Sequence, residues 1–257
     1  MGKGFWEGDR VWVVGASSGI GRALSEALAE RGAIVVASAR NVRALEGFVG
    51  DLKSRGLHVR YVPVDVTDTG SVRRAYSSAC ASTGAVDTLI YCAGDWEPVD
   101  LPAIDTERVE MQCQVNYLGM TRCIGEVFGG MARSGKAKIV GVSSASAYLP
   151  LPRAAAYGAS KSAASYFLRS LRLDAKKLGV SVTVVEPGFV DTPLSRRNDF
   201  KMPFLISAQA AARAIIDGLE KGKTGIAPPR RLTAPMAFLG GLPRSIQEAL
   251  VSVIFRR

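Results

Sequence analysis

Tyr157 and Lys161 stand four residues apart in the stretch Tyr157-Gly158-Ala159-Ser160-Lys161. On a helix, residues at that spacing lie one above the other on a single face. A phenol with its ordinary pKa of about 10 is a poor acid-base catalyst at neutral pH. An ammonium beside it favours the phenolate and lowers that value. The spacing therefore predicts a proton donor and acceptor tuned for neutral pH. It equally describes a core tyrosine beside a solvated lysine, so the pair gains chemistry only if a cofactor and a carbonyl binder stand next to it.

A second group has the composition to hold a pyrophosphate. Gly15-Ala16-Ser17-Ser18-Gly19-Ile20-Gly21 follows one apolar run and opens a helical pattern. Glycines at a strand-to-helix turn let the backbone approach phosphate oxygens, whose charge the helix N-terminus stabilises. The spacing is G-x-x-x-G-x-G rather than the commoner G-x-G-x-x-G. Further on, Ser38-Ala39-Arg40-Asn41 holds no carboxylate to take the two ribose hydroxyls of NAD. Arg40 could pair with a 2′-phosphate through its planar guanidinium, with Ser17, Ser38 and Asn41 adding neutral hydrogen bonds. NADP(H) is therefore favoured over NAD(H). Asp65-Val66 offers a carboxylate that either accepts from an adenine amino group or caps the next turn. Cys92-Ala93-Gly94 offers small residues against which a cofactor can lie.

These groups need a frame, and the hydropathy pattern supplies one. Apolar runs at 10–14, 33–38, 58–63, 88–91, 138–142, 182–185 and 224–227 read as strands. Helical patterns cover 19–31, 42–54, 69–82, 106–131, 155–177 and 208–220. Regular alternation of this kind predicts an α/β fold with one doubly wound parallel sheet and helices on both faces. No repeat or linker divides it. The expectation is a single Rossmann-type domain over 1–257, with a core at 8–228 and a basic, apolar C-terminal extension at 229–257. In such sheets ligands bind beyond the carboxyl ends of the strands, and the residues named above all fall there. The segment 192–206 lacks periodicity and reads as a mobile loop or short helices.

Composition removes other classes. Apolar residues make up 47% of the 257, enough for a full core. The longest apolar stretches, 139–152 and 232–243, are too short for a membrane span, and the first residues show no signal-peptide pattern. The four cysteines form no C-x-x-C pair and His58 is the sole histidine. The expectation is therefore no metal site and no histidine triad, in a reducing, cytoplasmic setting. The formal charge is +10, and residues 190–257 carry 11 Lys and Arg against 5 Asp and Glu. No nucleic-acid motif accompanies that charge.

Taken together, these motifs resemble the short-chain dehydrogenase/reductase family over roughly 11–192. Gly15, Gly19 and Gly21 match its cofactor turn, and Ile20 the apolar position within it. Asp65 matches its adenine-contacting acid, and Ala93-Gly94 the end of its Asn-Asn-Ala-Gly segment. Pro187-Gly188, Val190 and Thr192 fall in its Pro-Gly-x-x-x-Thr stretch beside the nicotinamide. Asn116 matches an asparagine that holds a water in a proton relay. Ser144, thirteen residues before Tyr157, matches the serine that binds the substrate oxygen. Tyr157 and Lys161 match the catalytic pair. Val14, Tyr91 and Cys92 depart from the family pattern without touching this chemistry. Adjacent strand residues face opposite ways, so only one of Ser143 and Ser144 can serve.

The resemblance implies hydride transfer between a nicotinamide and a small-molecule ketone or alcohol, in a homodimer or homotetramer. Trp96, Leu149 and Phe189, with Met202, Phe204 and Leu205, are expected to wall a lipophilic substrate pocket. The alternative is a dinucleotide-binding regulator without catalysis, which would be expected to have lost Tyr157 and Lys161. A sugar-nucleotide dehydratase or epimerase would need a further substrate domain. At the C-terminus, Ile246, Ala249, Leu250, Val253 and Ile254 recur at helical spacing, flanked by Arg244, Arg256 and Arg257. Packing on the domain or on a second subunit is favoured there over peripheral membrane contact through 243–257.

Overall fold

A computed structural model describes residues 4–134 and 137–254; Arg256 and Arg257 lie outside the described residues. The first half alternates β1 (Arg10–Val14), α1 (Gly19–Ala29), β2 (Ile34–Ala39), α2 (Val42–Ser54), β3 (Val59–Pro63), α3 (Thr69–Thr83) and β4 (Thr88–Tyr91). There follow α4 (Thr106–Cys113), α5 (Gly119–Ser134), β5 (Lys138–Val142), α6 (Ala155–Ala175) and β6 (Ser181–Val185). The chain ends with β7 (Val190–Asp191), β8 (Ile206–Ser207), α7 (Ala208–Glu220), β9 (Gly225–Ile226), α8 (Arg230–Gly240) and α9 (Arg244–Ile254).

Seven strands form one parallel sheet in the order β3-β2-β1-β4-β5-β6-β9, while β7 and β8 pair separately. Val11, Trp12, Val13 and Val14 of β1 are all buried. A parallel strand covered on both faces is apolar continuously rather than alternately, which is why the run was legible as a central strand. One face packs Val11 and Val13 against Leu24 and Leu28 of α1 and Ile215 and Ile216 of α7. The other packs Trp12 and Val14 with α3, α5 and α6 through Val72, Val127 and Leu168. Trp6 anchors the start of the chain by donating its indole N–H to Glu220 Oε1 at 2.9 Å.

The order reverses between β2-β1 and β4, so the sheet has its switch point beyond β1 and β4. This places the glycine turn, at the end of β1, beside Cys92-Ala93-Gly94 at the end of β4.

The helix expected over 106–131 is interrupted. Between α4 and α5, residues Gln114–Leu118 form a π turn in which Gly119 N–H bonds Gln114 O. Such insertions disturb the 3.6-residue period too briefly to register in hydropathy, and they often carry functional residues. The segment 192–206 holds one 3₁₀ turn, Ser195–Arg197, before β8.

Candidate active site

The carboxyl ends of β1, β4, β5 and β6 open on one cavity of about 1010 Å³. Gly15, Ser17, Ser18, Gly19, Ile20, Gly21, Arg40, Asn41, Val66, Cys92, Ala93 and Gly94 line it from one end. Ser144, Tyr157, Lys161, Pro187, Gly188, Val190 and Thr192 line it from the other.

The first end fits a dinucleotide. Gly15 has φ +92, and a Cβ there would drive into the Ala93 backbone; a Cβ on Gly21 would drive into the Gly15 carbonyl. The β1–α1 turn and the end of β4 therefore approach with no room for side chains. Ser18 stands at the N-cap of α1, but its hydroxyl makes no cap bond and the first turn holds no acid. The positive helix end is left for an anion such as a pyrophosphate. Arg40 is exposed at the cavity edge, and with Arg122 it counts among the charges that favour ionised Asp65.

Other expected contacts at this end are otherwise engaged. Ser38 is fully buried and accepts from Trp12 Nε1 at 2.9 Å, so it does not reach the cavity. Asn41 Oδ1 caps α2 through Ala44 N–H at 3.0 Å. Asp65 does not line the cavity. Burial pushes its pKa up, but N–H and O–H bonds from Thr67 at 2.9 and 2.8 Å outweigh this and hold it low. Of the two roles the sequence allowed Asp65, capping the next turn is the one these bonds perform.

At the other end Ser144 and Tyr157 line the same part of the cavity. Burial raises the Tyr157 pKa, and the Ser144 hydroxyl opposes that rise. Lys161 is buried, which lowers its pKa to about 8. Its Nζ donates to Val142 O at 3.1 Å and lies 5.6 Å from the centre of the Tyr157 ring. The expected lowering of the phenol by the lysine is thus corrected. Desolvation dominates both groups, and the ammonium's hydrogen bond goes to the strand end rather than the phenol.

Asn116 sits in the π turn, buried and outside the cavity wall. Its Nδ2 donates to Asp95 O and Ser160 Oγ, each at 2.9 Å, and its Oδ1 accepts from Asp95 N–H at 2.8 Å. The point where a Cβ would stand on Gly94 lies 3.4 Å from Asn116 Oδ1 and 3.5 Å from Lys161 Nζ. Ser143 and Ser144 both line the cavity, but Ser143 is 3% exposed and donates to Lys161 O at 2.8 Å, tying the end of β5 to α6.

Behind these groups stands Glu186, which the sequence reading passed over. Its Oε2 accepts from Tyr148 OH at 2.7 Å and its Oε1 lies 2.8 Å from Ser165 Oγ, which is 2.8 Å from Ser143 Oγ. One carboxylate thus joins the loop after Ser144, the helix of Lys161 and the Pro187-Gly188 turn. An acid directly after the apolar run of β6 was the available signal.

Trp96 and Phe189 line the cavity as expected, Trp96 meeting the Tyr157 ring edge-on at 5.2 Å. Leu149 does not line it; it is 6% exposed and part of the core. Met202, Phe204 and Leu205 are also absent from the wall, and Phe204 and Leu205 face solvent. Phe200 takes their place, together with Leu232 and Met236 of α8. Two arginines clasp the mouth. Arg153 bonds Asp100 at 2.6 Å and Asp199 at 2.9 Å, and Arg197 donates to Trp96 O at 3.1 Å.

A doubly wound sheet whose switch-point cavity joins a glycine turn to a Ser-Tyr-Lys group is the architecture of a nicotinamide-dependent oxidoreductase. The family model described as short chain dehydrogenase matches residues 9–202. An uncharacterized oxidoreductase of Myxococcus xanthus is 32% identical over 92% of this chain and 94% of its own length. The cis-4-hydroxycyclohexanecarboxylate dehydrogenase of Sinomonas cyclohexanicum is 32% identical over 93% of this chain and 91% of its own. A short-chain dehydrogenase/reductase from Burkholderia phymatum, solved with NAD, superposes with a TM-score of 0.84 at 22% identity, covering 92% of this chain and 93% of that one. A variant of actinorhodin polyketide ketoreductase, solved with NADPH, gives 0.80 at 22%, covering 86% and 95%. The chain belongs to the short-chain dehydrogenase family and is an oxidoreductase of CH–OH groups.

Proposed function

We propose that this enzyme is an NADP(H)-preferring carbonyl reductase or alcohol dehydrogenase acting on a lipophilic ketone or secondary alcohol. The observation that carries the reading is Ser144, Tyr157 and buried Lys161 lining one end of a cavity whose other end is the glycine turn. Gly15, Gly19, Gly21 and the α1 N-terminus would hold the pyrophosphate, and Arg40 the 2′-phosphate. Pro187, Gly188, Val190 and Thr192 would flank the nicotinamide. When bound, the nicotinamide supplies or accepts the hydride. Ser144 donates to the substrate oxygen and fixes it near Tyr157. Tyr157 gives its phenolic proton to that oxygen as negative charge develops there. Lys161 places a positive charge at the end of the cavity where negative charge develops on the substrate oxygen. Asn116 holds the Asp95 backbone and the Ser160 hydroxyl in place near Lys161, where a water could reconnect the lysine to solvent. The apolar walls, with Trp96, Phe189, Phe200, Leu232 and Met236, support a lipophilic substrate.

The test is a screen of NADPH oxidation over ketones graded by chain length and ring size, run beside NADH. Expected are turnover that improves with apolar bulk and a preference for NADPH. Equal use of NADH would remove the role given to Arg40. Dinucleotide binding without turnover on any carbonyl would favour the regulator reading. Tyr166 and Leu173 of α6 are each 72% exposed and support a homo-oligomer, which light scattering would read. The four free cysteines support a cytoplasmic setting.

A further inference from the structure

We infer that the α8–α9 hairpin docks on an anionic lipid surface. Of the described α9 side chains, only Val251 is buried and Gln247 half-buried. Gln247 donates to Gly240 O at 3.0 Å and Leu242 O at 2.7 Å, folding α9 back on the end of α8. That pair defines the face of α9 turned to the protein. Ile246, Leu250 and Val253 recur at i, i+4 and i+7, about 100° round the helix from it. They are 45, 36 and 62% exposed, and Phe238 of α8 is 72% exposed. Four large apolar side chains thus stand in solvent on one short hairpin, more than scattered surface residues explain.

Charge selects the occupant. From residue 221 to 257 the sequence carries seven Lys and Arg against the single acid Glu248. Arg230 and Arg231 open α8 and Arg244 opens α9, all three exposed. A symmetric dimer through this hairpin would set the same patch against itself, bringing arginine against arginine. A lipid surface reverses this: acyl chains take Phe238, Ile246, Leu250 and Val253, and anionic headgroups take the cations. Leu232 and Met236 of the same α8 line the substrate cavity, so docking brings the mouth close to the bilayer. This part rests on the proposed lipophilic substrate; the docking itself does not.

The experiment is co-sedimentation of the full chain with phosphatidylglycerol–phosphatidylcholine vesicles and with pure phosphatidylcholine vesicles. Activity on a water-soluble ketone with NADPH is measured on the same samples. Binding is expected to the anionic vesicles only and to weaken with added salt. Leu250→Glu with Val253→Glu should reduce it at least tenfold. Arg230→Gln and Arg231→Gln should each reduce it about fivefold. None of these changes should alter turnover of the soluble ketone. No sedimentation with anionic vesicles would overturn the proposal, as would equal binding by the Glu variants. So would a wild-type dimer that those variants convert to monomer without any vesicle binding. Vesicle binding without ketone turnover would instead count against the proposed function alone.

Discussion

At the scale of single residues the chemistry turns on two buried groups. With Tyr157 raised and Lys161 lowered to about 8, the phenol keeps its proton at neutral pH while the lysine keeps its charge. Carbonyl reduction should hold its rate below pH 8 and fall above it, as the ammonium is lost; a kcat profile over pH 6–10 reads this. Tyr157→Phe should keep NADPH affinity and lose about 10²–10⁴-fold in kcat; full activity would remove the phenol from the mechanism.

Lys161 also has a stability signature. An unfolded lysine titrates near its ordinary 10.5, so between about 8 and that value the unfolded chain binds the extra proton and stability rises with pH. Below about 8 both states are charged, and the fold bears a burial cost on the order of 3 kcal/mol. Lys161→Met loses the bond to Val142 O, worth about 1 kcal/mol. It should therefore be inactive yet more stable at pH 7 by about 2 kcal/mol, an advantage that shrinks toward pH 10. Thermal melts at pH 7 and 9.5 would show it, and a variant no more stable at pH 7 would contradict the burial argument.

At the scale of elements, what decides the site is how strand ends are fastened together. Glu186 takes bonds from Tyr148 and comes within hydrogen-bond reach of Ser165, and through them braces the loop of Ser144 against the helix of Lys161. Glu186→Ala removes the acceptor of the Tyr148 hydroxyl and leaves the Ser165 hydroxyl only Ser143 as a partner. It should cost about 2–3 kcal/mol of stability and lower kcat about tenfold, with substrate KM and NADPH affinity little changed. Glu186→Gln keeps one acceptor and should recover most of kcat. Loss of melting temperature with unchanged kcat would reduce Glu186 to a structural part.

The same scale shows what could be read from sequence. The bounds of α2, β4 and β5 were legible to the residue because apolar runs, the Asn41 cap and the flanking turns agree. The π turn at Asn116 was hidden, since one wider turn barely shifts the apolar face. Leu149 and Glu186 were misjudged or passed over for a related reason. Whether a side chain just past a strand points to the cavity or behind it depends on the loop's path, and hydropathy does not encode that path. The α8 wall was missed because 232–243 reads as an apolar stretch with no mark of where it folds back.

At the scale of the whole molecule the cavity spans the sheet from β2 to β6, with α8 closing one side. A ligand filling it touches the ends of most central elements at once, and unfolding must release it. Linkage then ties stability to dinucleotide concentration. At one hundred times its dissociation constant a dinucleotide adds about 2.7 kcal/mol, and at this chain length each kcal/mol raises Tm by about 2–4 °C. NADPH should raise Tm by roughly 5–10 °C under that condition. If Arg40 takes the 2′-phosphate, losing a charged hydrogen-bond pair costs about 1.5–3 kcal/mol. Arg40→Ala should then cut the NADPH shift at fixed concentration to the size of the NADH shift, and leave the NADH shift as it was. An equal loss with both dinucleotides would mean that Arg40 supports the turn at the end of β2 rather than the phosphate. An NADPH shift that survives the substitution would move the 2′-phosphate to another cation at that edge of the cavity.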